Sequence, residues 1–185
     1  MVSAVLEQLA SLDRAALDAT QAIRWGPLTA VFVLATAWWV KGCVFASVGA
    51  VVDGRARRWF PATALYALLV GALADLVAIG LKETFDRARP PEGEALIGLP
   101  SSPSFPSGHA TMSFAVAAFL SALHPRLRTP LFSLAALIAV SRAYLGVHFW
   151  LDVLAGAVLG TALGLAAARA ARRLALAPTQ ASPAS

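Results

Sequence analysis

Residues 141–173 read SRAYLGVHFWLDVLAGAVLGTALGLAAARAARR, and this stretch decides the kind of fold to expect. Gly146 is placed to break one helix just before another starts near His148. From Leu151 to Ala168 the only charge is Asp152, and such a run is near the roughly 20 apolar residues that cross a bilayer core. Gly156, Gly160 and Gly164 recur at every fourth position, a pattern that lets one helix backbone lie close against another. Arg169, Arg172 and Arg173 close the run. The stretch therefore predicts a transmembrane helix with its charge at the two ends. At the first end, His148 and Asp152 stand four residues apart, one turn along the same face.

The rest of the chain has the same character. Of 185 residues, 58% are hydrophobic and only 14% charged, and the mean hydropathy is +0.70, far from the balance of a soluble domain. Net charge is +5, but the arginines sit in short loops between apolar runs, so topology accounts for them and nucleic acid is not an expected partner. Cys43 is the only cysteine, which excludes an intramolecular disulfide and a cysteine-based zinc site.

Further apolar segments occupy 61–81, 107–123 and 130–146, and one more span falls within 27–52, where Lys41 leaves the boundary open between snorkelling and burial. The expected fold is all-α: a polytopic membrane bundle of about five transmembrane helices. An N-terminal amphipathic helix lies at the interface, with Val5, Leu6, Leu9, Leu12, Ala16 and Leu17 opposite Glu7, Asp13 and Asp18. These acids, and the lack of an early basic cluster, do not fit a cleavable signal peptide. A single domain over 1–177, with its motif core at 61–164, is expected to precede a disordered tail at 178–185.

With five spans, the clusters Arg55/Arg57/Arg58, Arg126/Arg128 and Arg169/Arg172/Arg173 fall on one side, which the positive-inside rule makes cytoplasmic. Three other segments then share the outer face: 82–90, 106–109 and 141–152. Lys82 and Arg89 flank a turn set by Pro90. In FPSGHA, Ser107 is suited to cap a helix whose free N–H groups bind an anion, Gly108 permits close approach, and His109 lies in the first turn. In the third segment, Asp152 can accept the Nδ1–H of His148 and so present Nε2 outward, while Arg142 can fork onto phosphate oxygens. Charges gathered at one membrane boundary mark a reaction site.

Together, K-x6-R-P from Lys82, P-S-G-H from Pro106 and S-R-x5-H-x3-D from Ser141 closely resemble the type 2 phosphatidic acid phosphatase superfamily, with no motif position departing from its pattern. The resemblance implies an integral-membrane lipid phosphatase on a fold shared with vanadium haloperoxidases. It implies that His148 is a nucleophile forming a phosphohistidine, Asp152 its orienting partner, and His109 the acid for the leaving alkoxide that later activates water. It makes Lys82, Arg89, Ser107, Gly108 and Arg142 the phosphate-binding positions. Side-chain cations would take the place of a metal, so neither metal nor other cofactor is expected, and two histidines in opposite protonation states predict a bell-shaped pH profile.

The expected substrate is a lipid mono- or diphosphate reached from the outer face of the plasma (inner) membrane: undecaprenyl diphosphate, phosphatidylglycerol phosphate or phosphatidate. The competing readings are a vanadate-dependent haloperoxidase, disfavoured by the multiple spans, and a transporter or scaffold that kept the fold without catalysis, disfavoured by the complete His-His-Asp set. Outside the motifs, Asp75 reads as support within the bundle, and Arg87 as either a second phosphate contact or an interfacial arginine. The loop 91–104 reads as a mobile gate by composition.

Overall fold

In a computed structural model that describes residues 2–36, 45, 47, 48, 50, 51 and 62–174, the apolar runs form helices, and there is no strand among the described residues. They are α1 (Val2–Ala22), α2 (Gly26–Thr36), α3 (Ala62–Phe85), α4 (Gly108–Leu123), α5 (Arg128–Tyr144) and α6 (Trp150–Arg173). Lys41, Cys43, Arg55, Arg57, Arg58, much of the expected first span and the tail 178–185 lie outside the described residues.

The centre of the bundle is α4, which is apolar all round and buries 13 of its 16 residues against α3, α5 and α6. Surrounded by protein, this helix does not have to match the bilayer thickness. By contrast α3 and α6, at 24 residues each, are long and apolar enough to span a membrane. Their length of about 36 Å exceeds a hydrocarbon core of about 30 Å. Their outer faces carry exposed Leu73, Leu76, Leu154 and Val158, the inside-out arrangement that lipid stabilises and water would not.

The glycine ridge fixes how α6 lies on α4. A Cβ at Gly156 would stand 2.6 Å from the Ser107 carbonyl oxygen, and at Gly160 and Gly164 it would meet the carbonyls of Thr111 and Ala115. Three glycines four apart thus face three carbonyls four apart, and the ridge ends where Ser107 N–H donates to the Asp152 carbonyl at 3.0 Å. Antiparallel alternation brings the C-termini of α3 and α5 and the N-termini of α4 and α6 to one end. Arg126, Arg128, Arg172 and Arg173 stand at the other, where Arg172 donates to the Ala122 carbonyl.

Two local expectations change. The third segment does not put His148 on a helix: α5 stops at Tyr144, Gly146 takes φ +77°, and α6 begins only at Trp150. Asp152 is therefore the third residue of α6 and accepts the Phe149 N–H at 2.9 Å, holding His148 in a turn instead of one turn along a helix face. The amphipathic α1 leaves Val5, Leu6, Leu9 and Leu12 exposed, but Leu17 and Asp13 are buried against the bundle. Asp13 is four residues from both Leu9 and Leu17, so it belongs to their side of the helix and not to the opposite one.

Candidate active site

Four stretches of irregular backbone and helix end meet at the closed end of the bundle. Asp86, with φ 41°, ends α3 in the left-handed conformation that aspartate tolerates better than most residues. Past it, the chain turns back over the helix ends. Lys82, buried one turn before that end, donates from Nζ to the carbonyls of Pro103 at 2.5 Å and Ser104 at 3.4 Å. Arg89 donates from Nε to Ser102 O at 2.8 Å and from Nη2 to Pro103 O at 3.2 Å, so the two cations share one peptide carbonyl. The loop 91–104 is thereby held rather than loose. Its Leu96 N–H donates to Leu145 O at 2.9 Å, and Glu94 accepts from Arg14 at 2.6 Å.

The same Arg89 reaches the third segment. Its Nη1 donates to Val147 O at 2.8 Å and lies 3.3 Å from His148 Nε2. On the other side of the ring, His148 Nδ1 is 3.4 Å from Asp152 Oδ2, a close electrostatic pairing without the alignment of a formed hydrogen bond. A nitrogen facing a guanidinium favours the lone pair there, and a nitrogen facing a carboxylate favours the proton, so the surroundings select Nδ1–H with the Nε2 lone pair turned towards Arg89. Burial pushes the His148 pKa down to about 4, the charge of Arg89 pushes the same way, and Asp152 partly offsets both. The ring is neutral at physiological pH.

Around this pair, Arg142 is buried at the end of α5, close enough to Arg89 and His148 for their charges to interact. Ser107 is fully buried and caps α4, its hydroxyl accepting weakly from Ala110 N–H at 3.5 Å. A Cβ at Gly108 would stand 2.7 Å from Asp75 Oδ1, so Asp75 packs on the start of α4 as a supporting residue. His109, in the first turn of α4, sets Nε2 3.3 Å from the Thr36 carbonyl of α2.

Two contributors were not legible as such. Arg87 donates from Nη1 to Asp152 Oδ1 at 2.5 Å and from Nη2 to Asp13 Oδ2 at 2.7 Å, and its guanidinium lies 4.6 Å from the Phe149 ring centre. Burial disfavours its charge, but the Asp13 hydrogen bond and the Asp152 charge outweigh that and hold its pKa above the ordinary value. Asp13 also accepts the Leu151 N–H at 3.0 Å. Its signal was an acid set between leucines at helical spacing.

Residues 63–175 match the family model of the PAP2 superfamily, about three fifths of the chain. The chain belongs to the PAP2 superfamily. It is 38% identical over 125 residues to a decaprenylphosphoryl-5-phosphoribose phosphatase of Mycobacterium tuberculosis, the match covering 65% of this chain and 66% of the relative, just under two thirds of its length. The enzyme of that name in Mycolicibacterium smegmatis is 36% identical over 155 residues, covering 76% of this chain and 77% of that one. Among solved structures, a transmembrane PAP2-type phosphatidylglycerolphosphate phosphatase from Bacillus subtilis superposes with a TM-score of 0.70 at 30% identity, covering 90% of this chain and 88% of the other. The PAP2 assignment accords with the resemblance read from the three motifs and with an all-helical membrane bundle.

Proposed function

We propose that this PAP2 chain is a multi-pass membrane phosphatase that hydrolyses a lipid mono- or diphosphate through a phosphohistidine intermediate at the extracytoplasmic face of the plasma membrane. The observation that carries the reading is the position of the His148 ring between Asp152 at Nδ1 and Arg89 at Nε2. In the mechanism, His148 Nε2 attacks phosphorus and the bond to the lipid oxygen breaks. His109 supplies the proton that the departing alkoxide takes. The deprotonated His109 then takes a proton from water, the hydroxyl oxygen attacks the phosphohistidine, the P–N bond breaks, and inorganic phosphate leaves with His148 restored. Lys82, Arg89 and Arg142, with Ser107 and Gly108 at the start of α4, balance the charge on the equatorial oxygens.

The lipid portion has a suitable seat. A groove of about 640 Å³, lined by Phe105, Leu151, Leu154, Val158 and Ala162, runs down α6 from the residues adjoining Pro106 and Asp152. A hydrocarbon chain lying there would deliver its phosphate to the closed end of the bundle. Placement on the outer face rests on the arginines at the other end of α4 and α6. The mycobacterial relatives favour a polyprenyl-linked sugar phosphate, and the Bacillus enzyme favours phosphatidylglycerol phosphate.

The deciding experiment measures phosphate release by purified protein from phosphatidylglycerol phosphate, phosphatidate, undecaprenyl diphosphate and decaprenylphosphoryl-5-phosphoribose, each against His148→Asn. Release by the wild type alone is expected. Equal release by the variant, or none from any lipid, removes the proposed chemistry.

A further inference from the structure

The N-terminal helix enters the site through one side chain. Asp13 is almost fully buried, with both carboxylate oxygens occupied: Oδ1 by the Leu151 N–H at 3.0 Å and Oδ2 by Arg87 Nη2 at 2.7 Å. Leu151 is the second residue of α6, so Asp13 acts from another helix as an anionic cap on the helix that carries Asp152. Arg87 spends its other nitrogen on Asp152 Oδ1 at 2.5 Å, and Asp152 in turn faces His148. Four groups therefore alternate in sign along one line: Asp13, Arg87, Asp152, and the imidazole that must gain positive charge as it attacks.

We propose that Asp13 is a positioning residue of the PAP2 site, which by sharing Arg87 with Asp152 keeps the Asp152 carboxylate available to the His148 ring. This rests on the reading of His148 as the nucleophile. Without Asp13, the guanidinium would have one anion to neutralise, and Asp152 would be its full partner. Without Arg87, Asp152 would turn its whole charge on the ring. The two changes act on His148 in opposite directions, which a purely structural tether of α1 would not do.

The remaining charges around the ring are Arg89 at Nε2 and Arg142 from α5, and Lys82 and Arg87 act on Asp152; none of these contacts involves Asp13 except that of Arg87. A control lies one residue away. Arg14 also ties α1 to the loop, through Glu94 at 2.6 Å, without touching this line.

The test is the NMR titration of the His148 ring in detergent-solubilised protein, its signal assigned by its loss in His148→Asn. Asp13→Asn is expected to lower the titration midpoint by roughly half to one pH unit, and Arg87→Gln to raise it by a similar amount. The double variant should return towards wild type, and Arg14→Gln should leave the midpoint in place. In turnover of a lipid phosphate, Asp13→Asn should reduce kcat about threefold to tenfold with KM unchanged, the rate equivalent of that shift. Shifts of the same sign in both single variants, or no shift in either, overturn the proposal. Should Asp13→Asn not fold, Arg87→Lys decides. A single ammonium does not bridge both carboxylates, so a raised midpoint upholds the arrangement and an unmoved one ends it. If His148→Asn keeps phosphatase activity, the nucleophile reading fails separately, and the titration still decides the influence of Asp13 on the ring.

Discussion

Replacing Asp152 by asparagine removes one charge from the centre of the site, together with the acceptor that Oδ1 offers to Arg87. The side chain keeps its volume and an oxygen for the Phe149 N–H, so the start of α6 should survive. The loss is the field at the ring. With Nδ1 3.4 Å from the carboxylate, a full positive charge on the imidazole interacts with it by about 5 kcal/mol at an effective dielectric of about 20. About half that charge has developed when the N–P bond is partly formed, which leaves roughly 2 to 3 kcal/mol, or a loss of about 30- to 150-fold in kcat. Losing the preference for the Nδ1–H tautomer adds to this, and the comparable amide substitution in a serine protease triad costs about 10⁴. Phosphate binding should be kept or strengthened, because Lys82, Arg89 and Arg142 remain while an anion has gone. Steady-state phosphate release in detergent micelles, across substrate concentration, separates the two quantities. A variant within about threefold of wild type in kcat, or one whose whole loss falls in KM, would show that Asp152 does not act on the reacting ring.

Burial of His148 sets the pH dependence. The ring must be neutral to attack and titrates near 4, so the acid limb of kcat/KM should lie near pH 4 to 5, at the low edge of the bell expected from two histidines; a limb above pH 6 would refute the burial argument. Because the unfolded ring binds its proton near pH 6.5, stability should also fall as pH drops from about 6.5 to about 4, which thermal denaturation in detergent would register and His148→Asn would flatten. Activity should survive EDTA, with charge compensation supplied by lysine and arginine; abolition with rescue by Mg²⁺ would overturn that account. Gly160→Val drives a side chain into the Thr111 carbonyl and should leave little folded protein, whereas Gly80→Ala, with open space around it, should be neutral or stabilising by up to about 1 kcal/mol; equal yields of the two would refute the glycine-ridge packing.

The bundle could be read from the chain because its signals are local. Apolar runs and the four-residue glycine repeat each act within a few turns, and α3 to α6 lie within a few residues of the expected boundaries except at the arginine end of α6. What escaped was non-local. Whether Arg87 meets lipid, phosphate or protein depends on Asp13, 74 positions earlier in the chain, and no spacing rule joins them. Likewise, the glycine- and serine-rich loop 91–104 looked mobile by composition. Its carbonyls are nevertheless the acceptors for Lys82 and Arg89, a role that belongs to backbone atoms and leaves no trace in side-chain identity. The His148–Asp152 pair was found for a slightly wrong reason: both belong together because Asp152 caps α6 through Phe149, with His148 held in the turn before it.

The arrangement of charge also explains why the site stands at a helix end and not in mid-membrane. Among the described residues, the carboxylates of Asp13, Asp75 and Asp152 act on Lys82, Arg87 and Arg89, while Arg142 is buried beside Arg89, and bringing such a cluster of charge into hydrocarbon would be prohibitive. Where α3 and α5 stop, irregular backbone offers carbonyls that helices keep for themselves, and Lys82 and Arg89 take four of them: Ser102, Pro103, Ser104 and Val147. A carbonyl is a weak partner for a cation compared with a phosphate dianion, so these contacts hold the guanidinium and ammonium groups in place without neutralising them. On the proposed reading, the site is thus organised before a substrate reaches it, and the phosphate of the substrate is the anion that those cations await. Arg87 is the exception. It is held by two carboxylates, which fits a cation that supports the proposed nucleophile in preference to one that would grip the phosphate.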